Sequence, residues 1–169
     1  VACNPTMPVR VRRHVRRHVQ VPVRGATPLW HDCKLPESGG TNEHGITFEE
    51  MSINDLQRRY GGASSSKRRR LLNNLFEYLA QYRDAGIRVK EIGIYGSFLS
   101  EKDEPGDIDV AILREPGGDL SSVWSYETAK REHGIDSFSV INWRHYCNSI
   151  SHPRERGSNR VVRIVPGSR

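Results

Sequence analysis

The chain has 169 residues, 36% of them hydrophobic, and a mean hydropathy of −0.66. That is enough for one modest core but low for a fully compact domain of this length, so part of the chain is expected to lie outside the core. The net charge of +6 is uneven: residues 1–24 hold six arginines and no acid, residues 25–150 balance to −4 and residues 151–169 to +4, so the basicity belongs to the ends and does not direct the middle of the chain to nucleic acid.

Residues 1–45 show no hydrophobic period. VRRHVRRH, from Val11 to His18, is a short direct repeat, and Pro5, Pro8, Pro22, Pro28 and Pro36 punctuate the segment. It is expected to be a disordered or irregular basic leader; its rival reading is an arm that touches nucleic-acid phosphates. His31, Cys33 and His44 have the chemistry of metal ligands, but their spacing fits no zinc pattern and they read as loop residues. The three cysteines are scattered and give neither a disulfide framework nor a C-x-x-C pair. No apolar run approaches the roughly 18 residues of a membrane span, and no hydrophobic stretch of a secretory signal follows the N-terminal charge. A cytoplasmic protein with no membrane partner is the expectation.

The domain is expected over residues 46–166, with 167–169 as a tail. Ile46 to Tyr60 reads as a short helix opening near Thr47, because Thr47 and Glu50 have capping-box spacing and Gly61-Gly62 supplies a stop. SSSKRRRLLNNLFEYLAQYRDAG is the clearest helix: Ser64 to Ser66 offer N-caps, Leu71, Leu72, Leu75, Phe76 and Leu79 make an apolar stripe, and Gly86 closes it. Its basic run, Lys67 to Arg70, sits unfavourably against the helix dipole. A solvated face is the ordinary fate of such a run, and a phosphate role is the alternative.

A strand follows from Ile87 to Tyr95 and breaks at Gly96. After a polar loop, Ile108 to Leu113 forms a second strand with Ile108, Val110 and Ile112 on one face. A helix is predicted from about Leu120 to His133, with Val123, Trp124 and Ala129 as core contacts and Gly134 as its stop. Ile135 to Ile141 is a third strand, Trp143 to Ile150 a weaker segment, and Val161 to Val165 a last candidate strand. This order defines an α/β (α+β) domain with a small mixed sheet flanked by helices.

The chemistry gathers in GIYGSFLSEKDEPGDIDVAIL, from Gly93 to Leu113. Strand alternation sends Asp107 and Asp109 to one face while Ile108 and Val110 enter the core. Their Cα atoms lie roughly 6–7 Å apart at the usual rise per residue. Two anions that close repel unless a cation lies between them. Oxygen ligands of this kind suit Mg²⁺, which takes one or two carboxylates and completes its shell with substrate phosphates. Gly96 lets a phosphate approach the backbone, and Ser97 adds a hydroxyl donor. Either half alone is a weak signal. A strand before each and a turn between make the pair specific.

GSFLSEKDEPGDIDVAI resembles the nucleotidyltransferase signature of the DNA polymerase β superfamily, and is closest to its small bacterial members of the minimal nucleotidyltransferase kind. The similarity is strongest from Lys67 to about Val140 and is absent over residues 1–31. It implies the nucleotidyltransferase fold, with Gly96 and Ser97 binding the nucleotide and with Asp107, Asp109 and a third carboxylate as catalytic metal ligands. Asp136, which opens the third predicted strand, fits the third position, with Glu127 and Glu132 as alternatives. The implied reaction moves a nucleoside monophosphate from an NTP to an acceptor, RNA, protein or small molecule, with two Mg²⁺ ions. Asp136 doubles as a candidate general base. Lys130 and Arg131 are placed to approach the triphosphate or simply to be solvated. Two rivals stand beside the enzyme: an antitoxin-like or regulatory protein that keeps the fold and binds a partner chain, and a catalytically silent nucleotide-binding module. A template-directed polymerase is disfavoured, because nothing in 169 residues supplies the domains that hold a template.

Overall fold

Two strands rich in β-branched residues form the middle of the fold. β2 (Val89–Gly96) and β3 (Ile108–Arg114) run antiparallel, with Ile92 opposite Ile112, Ile94 opposite Val110 and Tyr95 opposite Asp109. In this computed structural model, residues 33–62, 66–101, 104–152 and 158–166 are described. β4 (Ile135–Val140) adds to β3 in parallel, β5 (Ser158–Ile164) adds to β2 antiparallel, and β1 (Thr47–Glu50) adds to β5 in parallel. The five-stranded order is β1-β5-β2-β3-β4. The molecule is therefore a mixed α/β protein, as its sequence pattern implied, with helices α1 (Ile53–Tyr60), α2 (Ser66–Asp84), α3 (Tyr126–His133) and α4 (Trp143–Ser151).

Each sheet face has its own core. α1, α2 and α3 cover the face formed by Ile92, Ile94, Ile108, Val110, Ile112, Ile135, Val162 and Ile164. The α2 stripe is wider than the sequence implied: Leu71, Leu72 and Leu75 are buried together with Tyr78 and Tyr82, while Phe76 and Leu79 are only partly so. α4 lies on the opposite face, where Tyr146 and Ile150 pack with Phe48, Tyr95, Ala111, Leu113 and Val161. Gly93 permits this approach. A Cβ there would stand 2.8 Å from Ile150 Cγ2 and 3.0 Å from the Tyr146 hydroxyl.

Three elements differ from expectation. The helix expected over 46–60 begins only at Ile53, because Thr47–Glu50 pairs with β5 and buries Phe48 beside Val161. The capping box is Ser52 with Asp55 rather than Thr47 with Glu50: the Ser52 hydroxyl accepts from the Asp55 N–H, and Asp55 accepts from the Ser52 N–H. The helix expected over 120–133 is split. Asp119 caps a single 3-10 turn at Leu120–Ser122, and Ser125 then caps α3 separately. The weak segment after β4 is a full helix, started by Asn142, whose side chain accepts from the N–H groups of Arg144 and His145. Gly134 ends α3 in the left-handed conformation, as predicted. Of the expected N-caps of α2, Ser64 and Ser65 lie outside the described residues, as do residues 1–32 of the basic leader.

Residues 33–45 run without helix or strand, yet they are tied to the domain. Leu35 packs on the α4-side core, the Asn42 amide donates to the Ser151 carbonyl, and Trp143 Nε1 donates to the Cys33 carbonyl.

Candidate functional site

Strand direction decides where the chemistry collects. Because β2 runs opposite to β3, β4 and β5, its C-terminal end meets their N-terminal ends. Gly96, Ser97, Asp107, Asp109 and Asp136 therefore occupy one end of the sheet.

Asp109 and Asp136 are direct register partners on adjacent parallel strands, so their side chains leave the same face, as do those of the buried pair Ile108 and Ile135 on the other face. Neighbouring strands stand about 4.8 Å apart, so these carboxylates start close together. Asp107 and Asp109 are half-buried, while Ile108 and Val110 between and beyond them are fully buried, which is the alternation the sequence called for.

Gly96 is the most constrained point of the site. Its φ of 79° and ψ of −159° fall in a region essentially restricted to glycine. The Asp109 carboxylate lies over its α-carbon, such that a Cβ at Gly96 would meet Asp109 Oδ2 at 2.0 Å and Cγ at 2.9 Å. The glycine thus makes the seat that the second carboxylate of the D-x-D motif occupies. Ser97 opens a one-turn 3-10 helix, Ser97–Leu99, whose carbonyl accepts from the Ser100 N–H at 3.1 Å and the Ser100 hydroxyl at 2.6 Å. Among the described residues the Ser97 hydroxyl has no hydrogen-bond partner, so it is available to a ligand.

This turn is fastened from behind by Arg68. Its guanidinium donates to the Phe98 carbonyl and, at 3.2 Å, to the Ser100 carbonyl, and it stacks over the Phe98 and Tyr60 rings. The residue is 7% exposed. The basic run at the head of α2 is therefore not uniformly a solvated face: Arg69 and Arg70 are exposed, and Arg68 is buried. No periodicity separates one arginine of three from its neighbours; only the position of the Gly96–Ser100 turn over α2 does.

Asp136 is engaged by α3. Lys130 Nζ donates to its Oδ2 at 2.8 Å, the Tyr126 hydroxyl donates to its Oδ1 at 3.2 Å, and Lys130 also reaches the Tyr126 hydroxyl at 3.0 Å. The bond to Asp136, and then that to Tyr126, raises the Lys130 pKa and keeps the ammonium charged. Lys130 and Tyr126 lie one turn apart on α3, which puts both on the side facing β4. Tyr126 was not legible as a site residue, since an aromatic at a helix start has no distinguishing pattern. Of the alternatives to Asp136, Glu127 is exposed and paired with Arg131 at 3.0 Å, and Glu132 is exposed on α3.

Among the described residues, no group of three or more His, Cys, Asp or Glu side chains is arranged to hold a metal ion. Asp107 and Asp109 retain the chemistry of a two-carboxylate ligand pair, and the missing side chain of Gly96 makes room for the Asp109 carboxylate. Asp136, the expected third ligand, has each oxygen hydrogen-bonded to α3. Of the other candidate ligands, His31 lies outside the described residues, and Cys33 and His44 border a shallow groove where His44 packs on His152 at a 4.8 Å ring separation. An apolar groove of about 600 Å³, lined by Phe76, Leu79, Ile87, Val89 and Pro166, lies at the other end of β2 and contains none of these residues. Among the described residues no helix is long and apolar enough to cross a membrane.

Fold and site together define a mixed α/β protein whose acidic and phosphate-compatible groups share one sheet end. The chain belongs to the Family of unknown function (DUF6932), which matches residues 36–156. No curated protein and no solved structure matches it.

Proposed function

We propose that the protein is a metal-dependent nucleotidyltransferase that moves a nucleoside monophosphate from an NTP to an acceptor. The observation that carries this reading is the seat of Asp109 over Gly96: the glycine of the G-S turn and the second aspartate of D-x-D, thirteen residues apart in the chain, fit against each other at one sheet end. The resemblance of residues 96–112 to the DNA polymerase β superfamily signature supports the same reading, and so does the mixed sheet.

Asp107 and Asp109 would hold a divalent cation, which when bound neutralises phosphate charge and acidifies an acceptor hydroxyl. Ser97 supplies a hydroxyl donor to a phosphate oxygen. Gly96, without a side chain, gives Asp109 its seat beside the turn that carries Ser97. Arg68 holds the turn that carries both in one conformation, and transfer of this kind depends chiefly on positioning and charge neutralisation.

A second reading, a nucleotide-binding module without transfer, is favoured by one observation: the third carboxylate, Asp136, is bonded to Lys130 and Tyr126. The test separates the two. Wild-type protein and Asp107→Ala are incubated with Mg²⁺ and each α-labelled NTP, alone and with cell lysate, and label is followed into RNA, protein and small molecules. Transfer by wild type alone supports the enzyme and reveals the acceptor. Mg²⁺-dependent NTP binding with no transfer in any fraction supports the module. Neither binding nor transfer refutes both.

A further inference from the structure

We propose that a second copy of this chain covers the free edge of β4, pairing antiparallel across a two-fold axis and doubling the five-stranded sheet. A sheet edge presents a row of unpaired N–H and C=O groups, which proteins ordinarily block. At β1 the edge is blocked. Gly39 N–H donates to the Phe48 carbonyl at 2.7 Å, Phe48 N–H to the Gly40 carbonyl at 2.9 Å, and Thr41 bridges Thr47. β4, at the other end of the strand order, carries no such cover among the described residues. The Ile108 N–H donates to the Gly134 carbonyl, so the even-numbered residues of β4 turn their backbone groups to β3, while Ile135, Ser137 and Ser139 turn theirs outward. Nor does β4 have the devices that keep an edge single. Its six residues include no proline and no lysine, its one charge, Asp136, is met by Lys130, and its register to β3 runs without a bulge.

The charge pattern selects the occupant. Asp107, Asp109 and Asp136, with Lys130 against the last, leave the N-terminal end of β3 and β4 acidic. Arg114 ends β3 and Arg144 lies in the first turn of α4, while Glu115 is met by Arg88 at 3.5 Å and Lys90 at 3.9 Å, so the C-terminal end is basic. An identical edge laid antiparallel sets acid beside base at both ends; laid parallel, it sets like against like. The apolar surface agrees. Phe138 is 45% exposed, and Ile141 (55%) and Trp143 (40%) follow it out of the strand. A pairing centred on Phe138 places that ring against its counterpart in a close, non-hydrogen-bonded pair, with Ser137 of one copy exchanging both backbone bonds with Ser139 of the other. The same register sets residue 134 opposite residue 142, and so brings Asn142, Trp143 and Arg144 of the second copy alongside the start of β4. Each copy thereby carries an arginine toward the sheet end that holds Asp109 and Asp136 of the other.

The test is sedimentation equilibrium of the full chain together with amide exchange read at single residues. Wild type is expected to form a reversible dimer of twice its 19.3 kDa. Its Ser137 and Ser139 amides should be protected in the dimer and exchange faster on dilution, while those of Asp136 and Val140, which face β3, stay protected throughout. Phe138→Lys sets like charges opposite each other at the axis and should raise the dimer Kd at least about tenfold with the circular-dichroism spectrum kept. Should that variant not fold, the wild-type exchange pattern decides alone. Ile53→Lys, at a similarly exposed apolar position that lines the groove at the other end of β2, should leave the Kd unchanged. A wild type that is monomeric at every concentration would overturn the proposal. A monomer whose Ser137 and Ser139 amides are protected would put another part of the chain on the edge, and would overturn it too. So would a dimer that survives Phe138→Lys unweakened or is lost in Ile53→Lys.

Discussion

Replacing Gly96 by alanine tests the geometry on which the functional reading rests. Two costs add. The backbone at φ 79°, ψ −159° is held in a region that non-glycine residues occupy at about 1–3 kcal/mol. The new methyl would also stand 2.0 Å from Asp109 Oδ2 and 2.9 Å from its Cγ, so the carboxylate must swing aside, at about 0.5–1.5 kcal/mol for a displaced rotamer. The Asp109 Cβ, at 3.3 Å, is tolerable in place. The expected loss is therefore about 1.5–4.5 kcal/mol in urea unfolding. Gly86→Ala, at φ 70° with nothing within 4 Å of its would-be Cβ, reads a positive-φ cost without any side-chain clash; it should be about 1–2 kcal/mol. The decisive measurement is a double-mutant cycle. In an Asp109→Ala background the obstructing atoms are gone, and the Gly96→Ala penalty should shrink by about 0.5–1.5 kcal/mol. An equal penalty in both backgrounds would mean that Asp109 does not sit over Gly96, and the reasoning would fall.

Other outcomes follow from the same structure. Arg68→Ala leaves the Phe98 and Ser100 carbonyls without their charged donor, and should cost about 1.5–3 kcal/mol per hydrogen bond lost, with NTP affinity falling alongside; unchanged stability and affinity would return Arg68 to the solvated face. Beneath α4, Glu91 is buried against Arg163, with bonds of 2.6 and 3.0 Å, and accepts from the Tyr146 hydroxyl. Arg163→Met strands that carboxylate and should destabilise by about 3–5 kcal/mol, and Glu91→Gln in the same chain should recover a measurable part of it. At the start of α1, the Ser52 hydroxyl and N–H hold the Asp55 carboxyl below its ordinary pKa. A depressed folded pKa gives stability that is present above the unfolded value and lost as pH falls through the folded one. Ser52→Ala should therefore destabilise more at pH 7 than near pH 3, as read from urea melts at the two pH values; a pH-independent difference would refute the role of Asp55.

Much of the site was legible because its determinants are local. Alternation alone sends Asp107 and Asp109 to one face with Ile108 in the core, and glycine at the end of β2 marks a sharp break; neither inference requires knowing what lies next to what. The centre of the sheet, the body of α2 and the stops at Gly61 and Gly134 were legible for the same reason, since apolar period and capping chemistry act over a few residues.

What sequence could not determine was decided by pairing between distant segments. Thr47–Glu50 carries a helix-start pattern, but hydrogen bonding to β5, over a hundred residues away, and burial of Phe48 outweigh a capping preference worth about a kilocalorie. Arg68 differs from Arg69 and Arg70 only because the Gly96–Ser100 turn lands on it. Asp136 was legible as a third carboxylate at a strand start, but its engagement by Lys130 and Tyr126 depends on how α3 turns back onto β4. The residue types at the sheet end are thus a property of the chain, while the partners of their charges are a property of the packed fold, because side-chain ion pairs form only after strand register and helix placement have set which groups meet.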